Sequence, residues 1–367
     1  MYPQVIDIKC ISHASCNVGL QLFDSCKFAS KFIGKFNNML NSSPFARSRF
    51  HELILTQVKR YTSDIRWFYQ QESATQIHDF WKEVVMLIND PDSFATGIRT
   101  KLKSLVNDHE NDIRLELSLL KDVGIPLAKL CYYQEGDGFL IPTTYDHWHN
   151  VKALMQEFIE NRKPLQFVLN MLHELFPDSE DERTAMYDLT TAKIIPCLQK
   201  MNDSTTMPEK HLTTLNTFRA CRLLDYTFIA KTPYESLDST GLNGNLQGEI
   251  IQLLHLPFFR NDTDIHPLKN ELKLYHELSK NALLGTEDDI DEPGIKILSF
   301  WKANVLTLPN FAFLARKIAC LSPSSATVER LFSLLNSFND NQFNALADYA
   351  KARCLIRYNN IFRERYV

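Results

Sequence analysis

Phe28, Phe32, Ile33 and Phe36 recur at steps of three and four residues, which places them on one face of a helix. The same step returns along most of the chain. Pro44 opens a second run with Phe45, Phe50, Leu53, Ile54 and Val58 as its apolar side. Ile77 to Ile88 repeats the pattern through Phe80, Trp81, Val84 and Val85, and Pro91 stops it. Further helices are expected near residues 92–106, 110–121, 146–161, 165–176, 181–201, 208–231, 246–255 and 266–283. Short breaks at Gly136-Asp137-Gly138, Pro164, Pro177, Pro233, Pro257 and Pro267 separate them. Only 11 glycines occur in 367 residues, so tight hairpins have few places to form and a helical fold is favoured. Val5 to Ile8 is the one short strand expected at the start.

The composition supports a large core and excludes disorder, with 44% hydrophobic and 11% aromatic residues. A net charge of −4 argues against a dedicated nucleic-acid surface, so any DNA contact is expected to be local and weak. The eight cysteines, Cys10, Cys16, Cys26, Cys131, Cys197, Cys221, Cys320 and Cys354, form no CxxC pair and read as reduced thiols of an intracellular protein. Met1 to Cys10 carries Asp7 and Lys9 and has no apolar core, unlike a signal peptide. No uncharged apolar run approaches the ~20 residues that cross a bilayer, and a soluble protein with no membrane partner is expected.

Several local patterns carry little chemistry. Gly241, Gly244 and Gly248 lack the lysine and hydroxyl ending of a phosphate loop. His147 and His149 flank Trp148 at a two-residue step, which shares a face only on a strand; the segment reads as a helix capped by Asp146. Cys10 and His13 have a metal-like spacing but no second pair to complete a zinc site. Two acidic stretches, 178–182 and 287–293, read as solvated segments, and the second is the best domain boundary.

The last part of the chain, about 70 residues, is more specific. Phe300-Trp301 is followed by Leu308-Pro309-Asn310-Phe311, by Leu314-Ala315-Arg316-Lys317-Ile318, and then by Pro323-Ser324-Ser325-Ala326 with Glu329-Arg330 and Phe332-Ser333. Asp348-Tyr349 and Leu355-Ile356-Arg357-Tyr358-Asn359-Asn360 complete the order. This resembles the C-terminal dimerisation region of hAT superfamily transposases. Cys10-Ile11-Ser12-His13 resembles the family's C-x-x-H segment, although the usual threonine-leucine-asparagine run does not follow it. Arg66-Trp67 resembles the family's Arg-Trp pair, with Ile65 in place of the usual threonine. Cys131 to Leu140 is also similar to a segment of some subfamilies.

The resemblance implies a mainly α protein with a truncated RNase H-like α/β core and a large all-α insertion domain. Residues 1–72 would be the remnant of the core, 73–292 the helical insertion, and 293–367 the dimerisation region that completes the core. Family members hold two divalent metals with two Asp and one Glu, and such ion pairs stabilise both the attacking and the leaving oxygen. Glu329 matches the Glu, and His13 lies in the segment beside that site. Physics offers a plainer reading of Glu329, since an acid early in a helix opened by Ser322 and Pro323 complements the dipole.

In the family both Asp lie upstream of the C-x-x-H segment, where this sequence offers only Asp7, which reads as a strand-end residue rather than a metal ligand. The expectation is therefore a catalytically incomplete, transposon-derived protein that keeps dimerisation, with no cofactor as written. The alternative is the C-terminal part of an active, Mg²⁺-dependent transposase. Arg66 and Trp67 would contact DNA, the Trp by stacking on a flipped base, against the plainer reading of a core Trp. Leu331, Phe332, Leu335, Leu355, Tyr358 and Phe362 are the expected dimerisation residues, because the last helix is apolar on two sides and needs two surfaces to cover it. Partners would be a second copy or related hAT proteins, and kinship implies a nuclear location.

Overall fold

The computed structural model describes residues 9–61, 67–90, 96–136, 138–202, 209–238, 248–256, 259, 265–284 and 293–325. Every regular element among them is helical. The N-terminal part holds α1 (Ile11–Ser25), α2 (Lys27–Ser42), α3 (Pro44–Ile54), α4 (Trp67–Asp79) and α5 (Trp81–Asn89). The middle holds α6 (Thr96–Leu119), α7 (Ile125–Gln134), α8 (Ile141–Ile159), α9 (Gln166–Leu175), α10 (Glu180–Ala192), α11 (Ile195–Asn202), α12 (Glu209–Cys221), α13 (Tyr226–Lys231) and α14 (Tyr234–Asp238). The C-terminal part holds α15 (His266–Leu284), α16 (Pro293–Ala303) and α17 (Pro309–Ile318). A mainly α fold is thus what the chain adopts. The short strand expected at Val5 to Ile8 lies outside the described residues.

The three-and-four step of α2 does what it promises. Phe32, Ile33 and Phe36 are buried, with Phe32 5.3 Å from Trp81 and Phe36 edge-on to Phe50 at 5.3 Å between ring centres. The next turn is built from capping chemistry. Ser43 Oγ accepts from the Ala46 N–H at 3.1 Å, Pro44 takes the first helical position, and α3 ends at Leu55 in the left-handed region. One apolar core runs through the molecule from Ile11 to Ile318.

Several expected helices are corrected. The run from Ile77 to Ile88 is two helices, because the backbone leaves helical geometry at Phe80 (φ −118°, ψ 35°). The break expected between 92–106 and 110–121 is found: within α6 the backbone leaves helical geometry at His109 (φ −145°, ψ 28°), whose ring lies 4.3 Å from that of Phe28. A π-helical turn, Leu120–Gly124, joins α6 to α7. The expected 181–201 helix is divided between α10 and α11, and 208–231 between α12, a short 3₁₀ turn and α13. Glu249–His255 is 3₁₀ rather than α. Asp146 caps nothing: α8 begins at Ile141, and the Asp146 carboxylate instead lies 3.5 Å from the Arg222 guanidinium.

Two carboxylates, Glu116 buried and Asp122 partly so, join helices distant in sequence. Glu116 on α6 is almost wholly buried, accepts from the Ala29 N–H of α2 at 2.8 Å and pairs with Lys193 Nζ at 2.6 Å. Asp122, in the π turn, accepts from the Phe167 and Val168 N–H groups at 3.2 and 3.0 Å, so it caps α9 from 45 residues away. Burial raises the Asp122 carboxyl to about 6, outweighing the opposing pull of those N–H groups. A folded-state value above the ordinary 3.8 means that the fold favours the protonated form. Stability from this group is therefore fully present below about pH 4 and declines as pH rises through about 6, by about 1–2 kcal/mol once solvent screening is allowed for. Asp122→Asn keeps an acceptor for α9 and should flatten that part of the pH profile in urea titrations between pH 4 and 7. An unchanged slope would place the titration elsewhere.

Candidate functional site

The C-terminal helices are seated on the helical body by an aromatic cluster. Phe300 stacks on Tyr226 at 4.8 Å, and Tyr275 lies 5.0 Å from Trp301 and 4.8 Å from Phe311. Each polar tip in this cluster is satisfied. Trp301 Nε1 donates to the Leu224 carbonyl at 2.8 Å, and the Tyr275 hydroxyl donates to the Leu223 carbonyl at 3.0 Å. The Glu271 carboxylate on α15 accepts from the Asn310 and Phe311 N–H groups at 2.9 and 3.0 Å and so caps α17. Three helices are fixed against one another in this way.

Their outer side is unusual. Leu284, Leu298, Leu306 and Phe313 are all exposed there. Between α16 and α17 lies a groove of about 330 Å³, lined by Leu298, Trp301, Val305, Ala312, Ala315 and Ala319 and floored by Phe139. Lys302 and Arg316 stand at the same groove. The hollow exists because three alanines on one face of α17, at steps of three and four, leave space beside the Trp301 ring.

A second feature joins segments far apart in the sequence. The Ile11 N–H, first of α1, donates to the Pro323 carbonyl at 3.0 Å, and Cys10 Sγ accepts from the Ser325 N–H at 3.3 Å. Ser322 Oγ accepts from the Ser324 N–H at 3.3 Å. Beside them, Ser12 Oγ donates to Glu135 Oε1 at 2.9 Å and Ser15 Oγ to Gln134 Oε1 at 2.7 Å. The C-x-x-H segment, the Cys131 to Leu140 segment and the segment leading to Glu329 are thus brought together, although the sequence separates them widely.

The expected site residues divide sharply. His13 is exposed on the first turn of α1. Trp67 is wholly buried, edge-on to Phe23 at 6.1 Å and packed on Gly19, so in this fold its ring has no face for a DNA base. Arg66, Glu329, Leu331, Phe332, Leu335, Leu355, Tyr358 and Phe362 lie outside the described residues. His147 and His149 sit against different rings, Tyr133 at 4.0 Å and Tyr145 at 4.1 Å, and burial lowers both imidazoles. Among the described residues, no group of His, Cys, Asp or Glu is placed to hold a metal. No helix among them is long and apolar enough to cross a membrane. Sequence reasoning missed Leu306, Phe313 and the groove beside them; only the apolar character of Phe313 and the small residues around it hinted at them.

Residues 278–357 match the family model of the hAT family C-terminal dimerisation region. The chain carries a hAT dimerisation region. Comparison with curated proteins gives no match. The hAT region begins inside α15 and includes α16, α17, the groove and the segment at Pro323, so the exposed apolar groups described above belong to it.

Proposed function

We propose that this hAT transposase-like chain works by assembling with a second copy, or with a related hAT protein, through residues 278–357, and that these 367 residues by themselves do not cut DNA. The match to the dimerisation region carries the reading. The exposure of Leu298, Leu306 and Phe313 within that region supports it, because apolar groups gathered on one surface mark a protein partner. On this reading α1 to α3 flank an RNase H-like core, and the contact of Ile11 with Pro323 is where the C-terminal region closes onto it. The middle helices are then the insertion domain. DNA contact, through Arg66, would be weak, and the nuclear location is carried by kinship alone.

The catalytic part of the reading rests on counting. Two-metal cleavage in the family takes three carboxylates, and the resemblance supplies one here, Glu329. Two divalent ions need several oxygen ligands, which one carboxylate does not provide. The rival reading, a part of an active transposase using Mg²⁺, makes the same dimer and differs in what is joined to it. Sedimentation velocity and light scattering from sub-micromolar to tens of micromolar protein should show a dimer. A stable dimer interface of this kind buries on the order of 2,000 Å². A monomer throughout would overturn the dimer reading, and Mg²⁺-dependent nicking of DNA by the purified chain would overturn the catalytic one.

A further inference from the structure

We infer that the groove between α16 and α17 receives the exposed Phe313 and Leu306 of a second copy of this chain, each copy giving and taking the same contact. The inference rests on the dimer reading and adds where the two copies meet and what fills the hollow. Leu306 stands in the turn between the two helices with 91% of its surface in water, and Phe313 on α17 with 57%. Both are large apolar side chains beside a large apolar hollow that they do not themselves enter, since neither lines it. A cavity of roughly 150 Å³ accepts a benzene ring, so a groove of about 330 Å³ has room for a phenyl group and more.

The arrangement on α17 makes the contact self-complementary. Ala312, Ala315 and Ala319 form the groove stripe, and Phe313 lies about a third of a turn around the helix from it. Lys317 Nζ lies 4.4 Å over the Phe313 ring and holds one face of it. Two copies related by a two-fold axis then place each Phe313 over the other's alanines, as an isologous contact requires. Both the donor and the acceptor patch fall within the hAT dimerisation match, which identifies the occupant as another dimerisation region. Lys302 and Arg316 stand on both copies, so the charges facing across the rim are alike. Salt screens such exposed charges within about 8–10 Å. The dimer should consequently tighten, not loosen, as ionic strength rises.

The test compares dimer dissociation constants by sedimentation for the wild-type chain, Phe313→Asp, Leu306→Asp and Ala319→Phe, the last of which fills the groove. Leu55→Asp and Leu189→Asp change exposed leucines outside the hAT region and serve as controls, and circular dichroism checks that each variant folds. Loss of a central apolar anchor should weaken the dimer by roughly 10–30-fold in the first three variants and leave the controls unchanged. Mixing Phe313→Asp with Ala319→Phe should regain dimer beyond either variant alone, because one intact Phe313 then meets one open groove. A wild-type dimer unaffected by all three substitutions, or one that loosens with salt, would overturn this inference and leave the dimer reading standing. A monomeric wild type would overturn both.

Discussion

Gly19→Ala is expected to destabilise the protein by roughly 3 kcal/mol, at the upper end for overpacking a core. An added Cβ would stand 2.0 Å from Trp67 Cε2 and 2.2 Å from Cδ2, far inside van der Waals contact. Relief would require the indole to move, and the indole is wholly enclosed, with Phe23 against it. The close approach of α1 and α4 therefore depends on the absent side chain rather than on glycine's backbone freedom. Trp67→Ala should cost about 3–5 kcal/mol through the cavity it leaves. The combination Gly19→Ala with Trp67→Leu should cost less than the sum, since the smaller side chain gives the new methyl room. Urea midpoints at constant slope would measure all three. Additive losses would show that the two residues do not share a contact. DNA binding lost in a Trp67 variant of full stability would mean that the ring leaves its pocket to act.

Removing the Glu116 carboxylate should have a comparable effect. Glu116→Ala strips the Ala29 N–H of its acceptor and leaves the Lys193 ammonium without its partner. Breaking a buried pair by deleting one member costs about 3–5 kcal/mol. The lower part of that range is expected, because Lys193 keeps 30% of its side chain in water. Glu116→Gln should recover part of the loss by restoring the acceptor for Ala29. The pair of changes Glu116→Leu and Lys193→Met should destabilise less than Glu116→Ala alone, as neither leaves a stranded charge. Amide exchange at Ala29 gives a local readout: protection should fall in Glu116→Ala and persist in Glu116→Gln. Equal protection in both would show that the start of α2 does not rely on the carboxylate. Burial together with this carboxylate also pushes the neighbouring Cys26 thiol well above its ordinary range, so that cysteine stays protonated and unreactive.

The legible part of the fold is the part written locally. The Phe28 to Phe36 spacing announced α2, Pro44 announced α3, and the scarcity of glycine announced a helical chain. Boundaries set by tertiary contact were hidden. Nothing in the residues around Phe80 separates a straight helix from a broken one, whereas the gap expected between 92–106 and 110–121 did mark the kink at His109. The π turn at Leu120–Gly124 has no sequence mark, yet it aims Asp122 at α9. Gly19 and Glu116 carry no local mark, because their partners lie far along the chain, Trp67 for the first and Ala29, 87 positions away, for the second. The dimerisation region was legible for a different reason: its residue order is specific enough to be matched as a motif. The groove within it was not, since a hollow is made by what faces it, and Phe139 comes from another part of the chain.

The bond from Ile11 to Pro323 bears on how the protein is made. The leading N–H groups of a helix have no partner within it, and Cys10 offers α1 no side-chain cap. The acceptor for the Ile11 N–H arrives late, as the Pro323 carbonyl far along the chain. Domains fold from the N-terminus as they leave the ribosome, so α1 must wait with a frayed start while nearly the whole polypeptide is translated. Translation that stops before Pro323 yields a body of packed helices with that first turn open to chaperones and proteases. Closure of α1 is thereby tied to synthesis of the hAT region, since the acceptor carbonyl of Pro323 lies within residues 278–357.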